Sequence, residues 1–121
     1  MSKRILVVED QEDNRQILRD LLGSTGYEMV EAENGQDALT VAAAELPDLI
    51  LMDIQLPGID GYEATRRIRA LPEVGTMPII AVTSYALSGD EAKAREAGCD
   101  GYVAKPFSPR QLLAKVREFV G

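Results

Sequence analysis

Histidine and tryptophan are absent from this sequence, and cysteine occurs once. Without imidazole there is no Ser-His-Asp or Cys-His nucleophile, no histidine general base and no His-ligated metal. The lone Cys99 forms no intramolecular disulfide, and nothing points to an oxidising compartment. Positive charge is also short: 13 Lys+Arg against 20 Asp+Glu leave a formal net charge of −7. Phosphate backbones and anionic headgroups repel such a surface, so neither nucleic acid nor membrane is an expected partner. No long apolar run exists at the N-terminus, where Lys3-Arg4 is followed only by Ile5 to Val8 before Glu9 and Asp10. That is too short for a signal peptide or a bilayer span, and a cytoplasmic location is expected. Hard carboxylate chemistry is what remains.

The 121 residues, 45% hydrophobic and 27% charged, suit one soluble domain spanning 1–121. Short apolar runs, Ile5–Val8, Tyr27–Ala32, Leu49–Met52, Ile79–Val82 and Gly101–Ala104, read as strands, three of them without polar alternation, as in strands covered on both faces. Between them, Ile17, Leu18, Leu21 and Leu22 share one helical face, and Ala38, Leu39, Ala42 and Ala43 repeat the pattern after an Asn34 cap. These two helices are predicted to stop at Gly23 and before Pro47. A helix from about Tyr62 to Ala70 follows the Pro57-Gly58 turn. Ser88-Gly89-Asp90-Glu91 and Ser108-Pro109-Arg110-Gln111 read as capping boxes, the first helix closing at Gly98. Five strand–helix units predict an open, doubly wound α/β fold with a parallel sheet and helices on both faces. Ligands of such sheets bind beyond the carboxyl ends of the strands.

Glu9 and Asp10 follow the first strand, Asp53 the third, Thr83 the fourth and Lys105 the fifth, so all five lie along one sheet edge. Any one of them alone reads as a solvated turn residue or a β-former. Together, three converging carboxylates repel strongly and need a cation. An all-oxygen site points to Mg²⁺, or Mn²⁺ in its place. Lys105 then supplies fixed positive charge and Thr83 a hydroxyl donor, the groups needed to hold a phosphoryl near Asp53, the candidate nucleophile.

These residues resemble the receiver domain of two-component response regulators. The likeness runs from Ile5-Leu6-Val7-Val8-Glu9-Asp10 through Leu51-Met52-Asp53-Ile54-Gln55-Leu56-Pro57-Gly58 to Ala81-Val82-Thr83-Ser84 and Tyr102-Val103-Ala104-Lys105-Pro106-Phe107, at receiver-like intervals. It implies strand order 2-1-3-4-5 in a flavodoxin-like arrangement with five helices, a cis Lys105-Pro106 bond and Asp53 as phosphoacceptor. It also implies a Mg²⁺ site from Glu9, Asp10, Asp53 and the Gln55 backbone carbonyl, phosphoryl contacts from Thr83 and Lys105, and a Thr83–Tyr102 switch. Glu9 stands where many receivers have Asp. Gln55 and Tyr85 are expected to tune the lifetime of the phosphorylated form, the bulk of Tyr85 slowing hydrolysis, while Gln11, Asn14, Ile17 and Asp20 offer a docking face for the phosphodonor. For Tyr102 and Ile17, ordinary packing is the competing reading.

The expected partners are a histidine kinase or histidine phosphotransfer protein and a downstream protein target, with the chain a monomer or weak dimer. It is expected to be a phosphoacceptor rather than a turnover enzyme. A dehalogenase-like phosphohydrolase would want an acidic residue where Gln55 stands. A flavin carrier would need a Ser/Thr/Gly-rich loop where Glu9-Asp10-Gln11-Glu12-Asp13 stands, and no Walker motif is present. A receiver cut from a hybrid kinase is the alternative within the family; the initiating Met1 and the end at Gly121 favour a stand-alone receiver without an output domain.

Overall fold

The computed structural model describes residues 3–72, 76–83 and 90–120. Strands and helices alternate as β1 (Arg4–Val8), α1 (Glu12–Ser24), β2 (Glu28–Ala32), α2 (Gly35–Glu45), β3 (Leu49–Asp53), α3 (Gly61–Arg69), β4 (Ile79–Thr83), α4 (Asp90–Ala97), β5 (Gly101–Ala104) and α5 (Pro109–Val120). The five strands form one parallel sheet in the order β2-β1-β3-β4-β5. Every residue of β3 and β4 is buried, as expected of aliphatic strands without polar alternation.

The two-residue side-chain period splits these strands between two cores. Leu6, Val8, Ile50, Met52, Ile79 and Ala81 pack with Ala38 and Ala42 of α2 and Ala64 and Ile68 of α3. Ile5, Val7, Leu49, Leu51, Ile80 and Val82 pack on the other face with Leu22 of α1 and Leu112 and Val116 of α5. Small residues on α2 let that helix sit close to the sheet, and long aliphatics fill the α1/α5 side.

The caps act largely where their residue types suggested. Asn34 accepts a hydrogen bond from the Asp37 N–H at 2.8 Å, and Asp60 does the same for Glu63 at 2.9 Å. Ser108 and Gln111 form a reciprocal capping box at 2.9 and 3.1 Å. Ser88 and Gly89 of the Ser88–Glu91 box, and Tyr85, lie outside the described residues.

Three expectations need correction. The first helix passes through Gly23 and ends at Ser24, because the left-handed residue that closes it is Gly26 (φ 87°). There the Tyr27 N–H reaches the Leu22 carbonyl and the Gly26 N–H the Gly23 carbonyl, the paired bonds of a glycine-terminated helix. Ile17 leaves the apolar stripe and is 59% exposed, since the face that meets the sheet is carried by Leu18, Leu21 and Leu22. On α2, Ala43 faces solvent and Val41 packs instead, while Leu46 in the left-handed region (φ 47°) ends the helix before Pro47.

Candidate active site at the carboxyl edge of the sheet

Parallel pairing sets the strand ends side by side: Val8 opposes Met52, Asp53 opposes Val82 and Thr83 opposes Ala104. Glu9 and Asp10 therefore leave β1 beside Asp53, the last residue of β3, while Thr83 ends β4 and Lys105 follows β5. The lysine is joined to Pro106 by a cis peptide bond, as the receiver resemblance implies.

One carboxylate oxygen from each of Glu9, Asp10 and Asp53 lies within 4.8 Å of the other two. Glu9 and Asp53 are buried, at 3% and 4% exposure. Lys105 Nζ stands 3.3 Å from both Glu9 Oε2 and Asp53 Oδ2. Asp53 Oδ1 accepts the Gln55 N–H at 3.0 Å, and Asn14 Nδ2 donates to Glu9 Oε1 at 2.7 Å.

One ammonium shared between two buried carboxylates leaves excess negative charge, and the acidities of the pair diverge. Burial, then the neighbouring Glu9 carboxyl, push Asp53 up to about 7 against the pull of Lys105. Burial raises Glu9 too, but hydrogen bonds with Asp53 and Asn14 and the Lys105 charge outweigh it and hold Glu9 below its usual value. With no cation bound, Asp53 therefore holds its proton to higher pH than an ordinary aspartate does. Three hard oxygen donors with this surplus of negative charge fit a divalent cation such as Mg²⁺.

Thr83 is buried and its hydroxyl accepts a bond from Gln55 Nε2 at 2.6 Å. Tyr102 is half-buried on β5 and packs against the core shared with α2 and α3. A cleft of about 530 Å³ opens beside the carboxylates, bordered by Asn14, Ile17, Lys105 and Phe107. Of the expected docking residues, Gln11, Ile17 and Asp20 are exposed on α1 or its cap, and Asn14 turns inward to Glu9.

Two contacts escaped the sequence reading. The Gln55 side chain reaches Thr83 across 28 positions, with no local signal. Arg15 is buried and donates to the Glu9 carbonyl at 2.7 Å; its place three residues after Glu12 hinted at an ion pair, not at burial. Among the described residues no helix is long and apolar enough to cross a membrane.

Comparison with known proteins extends this geometry. The response regulator receiver domain model matches residues 5–117. The polar-differentiation response regulator DivK of Brucella anthropi is 41% identical over 121 residues, covering 100% of this chain and 98% of the relative. The receiver domain of the sensor histidine kinase PA1611 from Pseudomonas aeruginosa, solved with a magnesium ion coordinated in its active site cleft, is 39% identical with a TM-score of 0.92, covering 100% of this chain and 99% of that one. A putative response regulator from Chloroflexus aurantiacus is 34% identical with a TM-score of 0.94, covering 99% and 98%. Strand order, the acidic cluster at the sheet edge and a family match over nearly the whole length agree: the chain belongs to the response regulator receiver domains of two-component signalling.

Proposed function

We propose that Asp53 is the phosphoacceptor of a Mg²⁺-dependent switch. The observation that carries the reading is a buried carboxylate at a strand end with Lys105 Nζ at 3.3 Å and two further carboxylates within 4.8 Å. Glu9, Asp10 and Asp53, with the Gln55 backbone carbonyl, would hold the cation, and Mn²⁺ would serve in its place. When bound, the ion neutralises the charge that gathers where phosphoryl meets carboxylate. An Asp53 oxygen attacks the phosphorus of a phosphohistidine; the P–O bond forms as the P–N bond breaks, and the imidazole leaves with the bonding pair. Lys105 and Thr83 hold the transferred group, as the cation and hydroxyl nearest the acceptor.

The phosphoryl recruits the Thr83 hydroxyl away from Gln55, and Tyr102 follows into the vacated space, changing the surface near β5. The phosphodonor, a histidine kinase or phosphotransfer protein, docks on α1 at the cleft beside Ile17. The output is contact with a downstream protein from a monomer or weak dimer in the cytoplasm. The molecule acts as one domain over 1–121, without nucleic-acid or membrane binding, and assists its own phosphorylation without turning over substrate. We read it as a stand-alone receiver, with the receiver of a hybrid kinase as the alternative; DivK is matched over 98% of its length and the receiver domain of the sensor histidine kinase PA1611 over 99%.

Intact mass after incubation with Mg²⁺ and acetyl phosphate tests the proposal. A single gain of about 80 Da on the wild type, absent from Asp53→Asn, is expected. A wild type that binds Mg²⁺ yet gains no mass would leave a binding module of receiver fold.

A further inference from the structure

Arg15 sits under the first turn of α1 with a side chain only 7% exposed. A buried guanidinium needs partners for its charge and its donors. The partners found are the Glu12 carboxylate at 2.6 Å, Glu31 at 3.2 Å, Glu33 at 3.4 Å and the Glu9 backbone carbonyl at 2.7 Å. The last contact is set apart by what it touches. Glu9 belongs to the acidic cluster, and its carbonyl is half of the peptide that leads into Asp10. On its other side the Glu9 N–H donates to the Ala32 carbonyl at 3.1 Å, and Asn14 holds its carboxylate at 2.7 Å.

From this we infer that Arg15 is a positioning residue for the metal site. Its charge-assisted bond fixes the Glu9–Asp10 peptide, and so presents both carboxylates to the cation in one geometry. Without it, the Glu9 carbonyl loses this anchor, and the metal must order the Glu9–Asp10 peptide as it binds. The inference rests on the proposed Mg²⁺ site.

A control is built into the fold. Arg19 joins the same acidic network, pairing with Glu31 at 2.6 Å and Glu12 at 3.4 Å and donating to Gln16 rather than to Glu9. Arg15→Gln and Arg19→Gln therefore both remove network charge, but only the first releases the carbonyl.

The test is Mg²⁺ titration of the full chain by isothermal calorimetry, with the Asp10 amide followed by two-dimensional NMR. Arg15→Gln should weaken Mg²⁺ binding about tenfold and move the Asp10 amide resonance before any metal is added; Arg19→Gln should change affinity less than about twofold and leave that resonance in place. Should Arg15→Gln fail to fold, Arg15→Lys serves. Its single ammonium is held by the surrounding carboxylates and gives up the carbonyl, so the same direction of loss is expected. A loss below about threefold in whichever Arg15 variant folds, or an equal loss in Arg19→Gln, overturns the positioning role while the functional reading stands. A wild type that binds no Mg²⁺ overturns both.

Discussion

Asp53 carries the strongest pH signature at the scale of single residues. Its carboxyl is raised from the usual 3.8 to about 7, so the folded chain binds that proton more tightly than the unfolded one. Stability from this group is therefore fully present at low pH and is lost as pH rises through about 7. Glu9 shifts the other way from its usual 4.5, and its contribution is lost only below that range. Between pH 5.5 and 8, then, Asp53 dominates the change. A metal ligand must be ionised, so the gain in Tm from excess Mg²⁺ should grow across the same window. Differential scanning calorimetry of wild type and Asp53→Asn checks this: a gain that is flat with pH in the wild type would contradict it. Gln55 offers a second residue-scale prediction. Its amide donates to the Thr83 hydroxyl at 2.6 Å, a bond that the proposed movement of Thr83 toward the phosphoryl would break. A hydrogen bond is worth about 1 kcal/mol, so Gln55→Ala should bind the phosphoryl mimic beryllium trifluoride about fivefold more tightly. Unchanged or weaker binding by fluorescence or NMR titration would show that this bond does not oppose the switch.

At the scale of elements, the turn after β3 is tightly constrained. A Cβ on Gly61 would collide with the Asp53 carbonyl oxygen and stand 2.7 Å from the Ile54 Cα, backbone that cannot move without shifting the acceptor. Gly61→Ala should cost about 1–3 kcal/mol in urea denaturation, as overpacking does, and weaken Mg²⁺ binding alongside. Asn34 makes a purely local contribution: removing its cap of α2 in Asn34→Ala should cost about 1 kcal/mol with Mg²⁺ affinity unmoved. Equal effects of the two variants on the metal would remove the distinction. The elements themselves were largely legible. Aliphatic runs marked all five strands, and Asn34, Pro47 and the Ser108–Gln111 box marked helix ends, because capping and β-propensity act within a few residues. The end of α1 misled because a glycine inside a helix costs only about 1 kcal/mol, less than the packing around Leu22 returns. Ile17 misled for a related reason: a stripe defined by spacing alone is wider than the face the sheet accepts.

Across the whole molecule, stability is graded by strand order. β1, β3 and β4 lie inside the sheet, while β2 and β5 form its edges and keep half-buried residues. Native-state hydrogen exchange should protect amides of β3 and β4 most, with β2 exchanging sooner through openings short of global unfolding. Uniform protection across all five strands would refute that gradient. The sequence by itself determined which segments are strands, that they run parallel through helical crossovers, and that Glu9, Asp10, Asp53, Thr83 and Lys105 reach one edge, since these follow from local propensity and the handedness of the chain. Only the tertiary structure decided that the Asp53 pKa is pushed up, that Gln55 holds Thr83, that Ile17 meets solvent and that Arg15 is buried against the Glu9 carbonyl. Each of these depends on burial and on neighbours supplied by other elements, and acidity and hydrogen bonding respond to the distances and water exclusion that packing creates rather than to residue type.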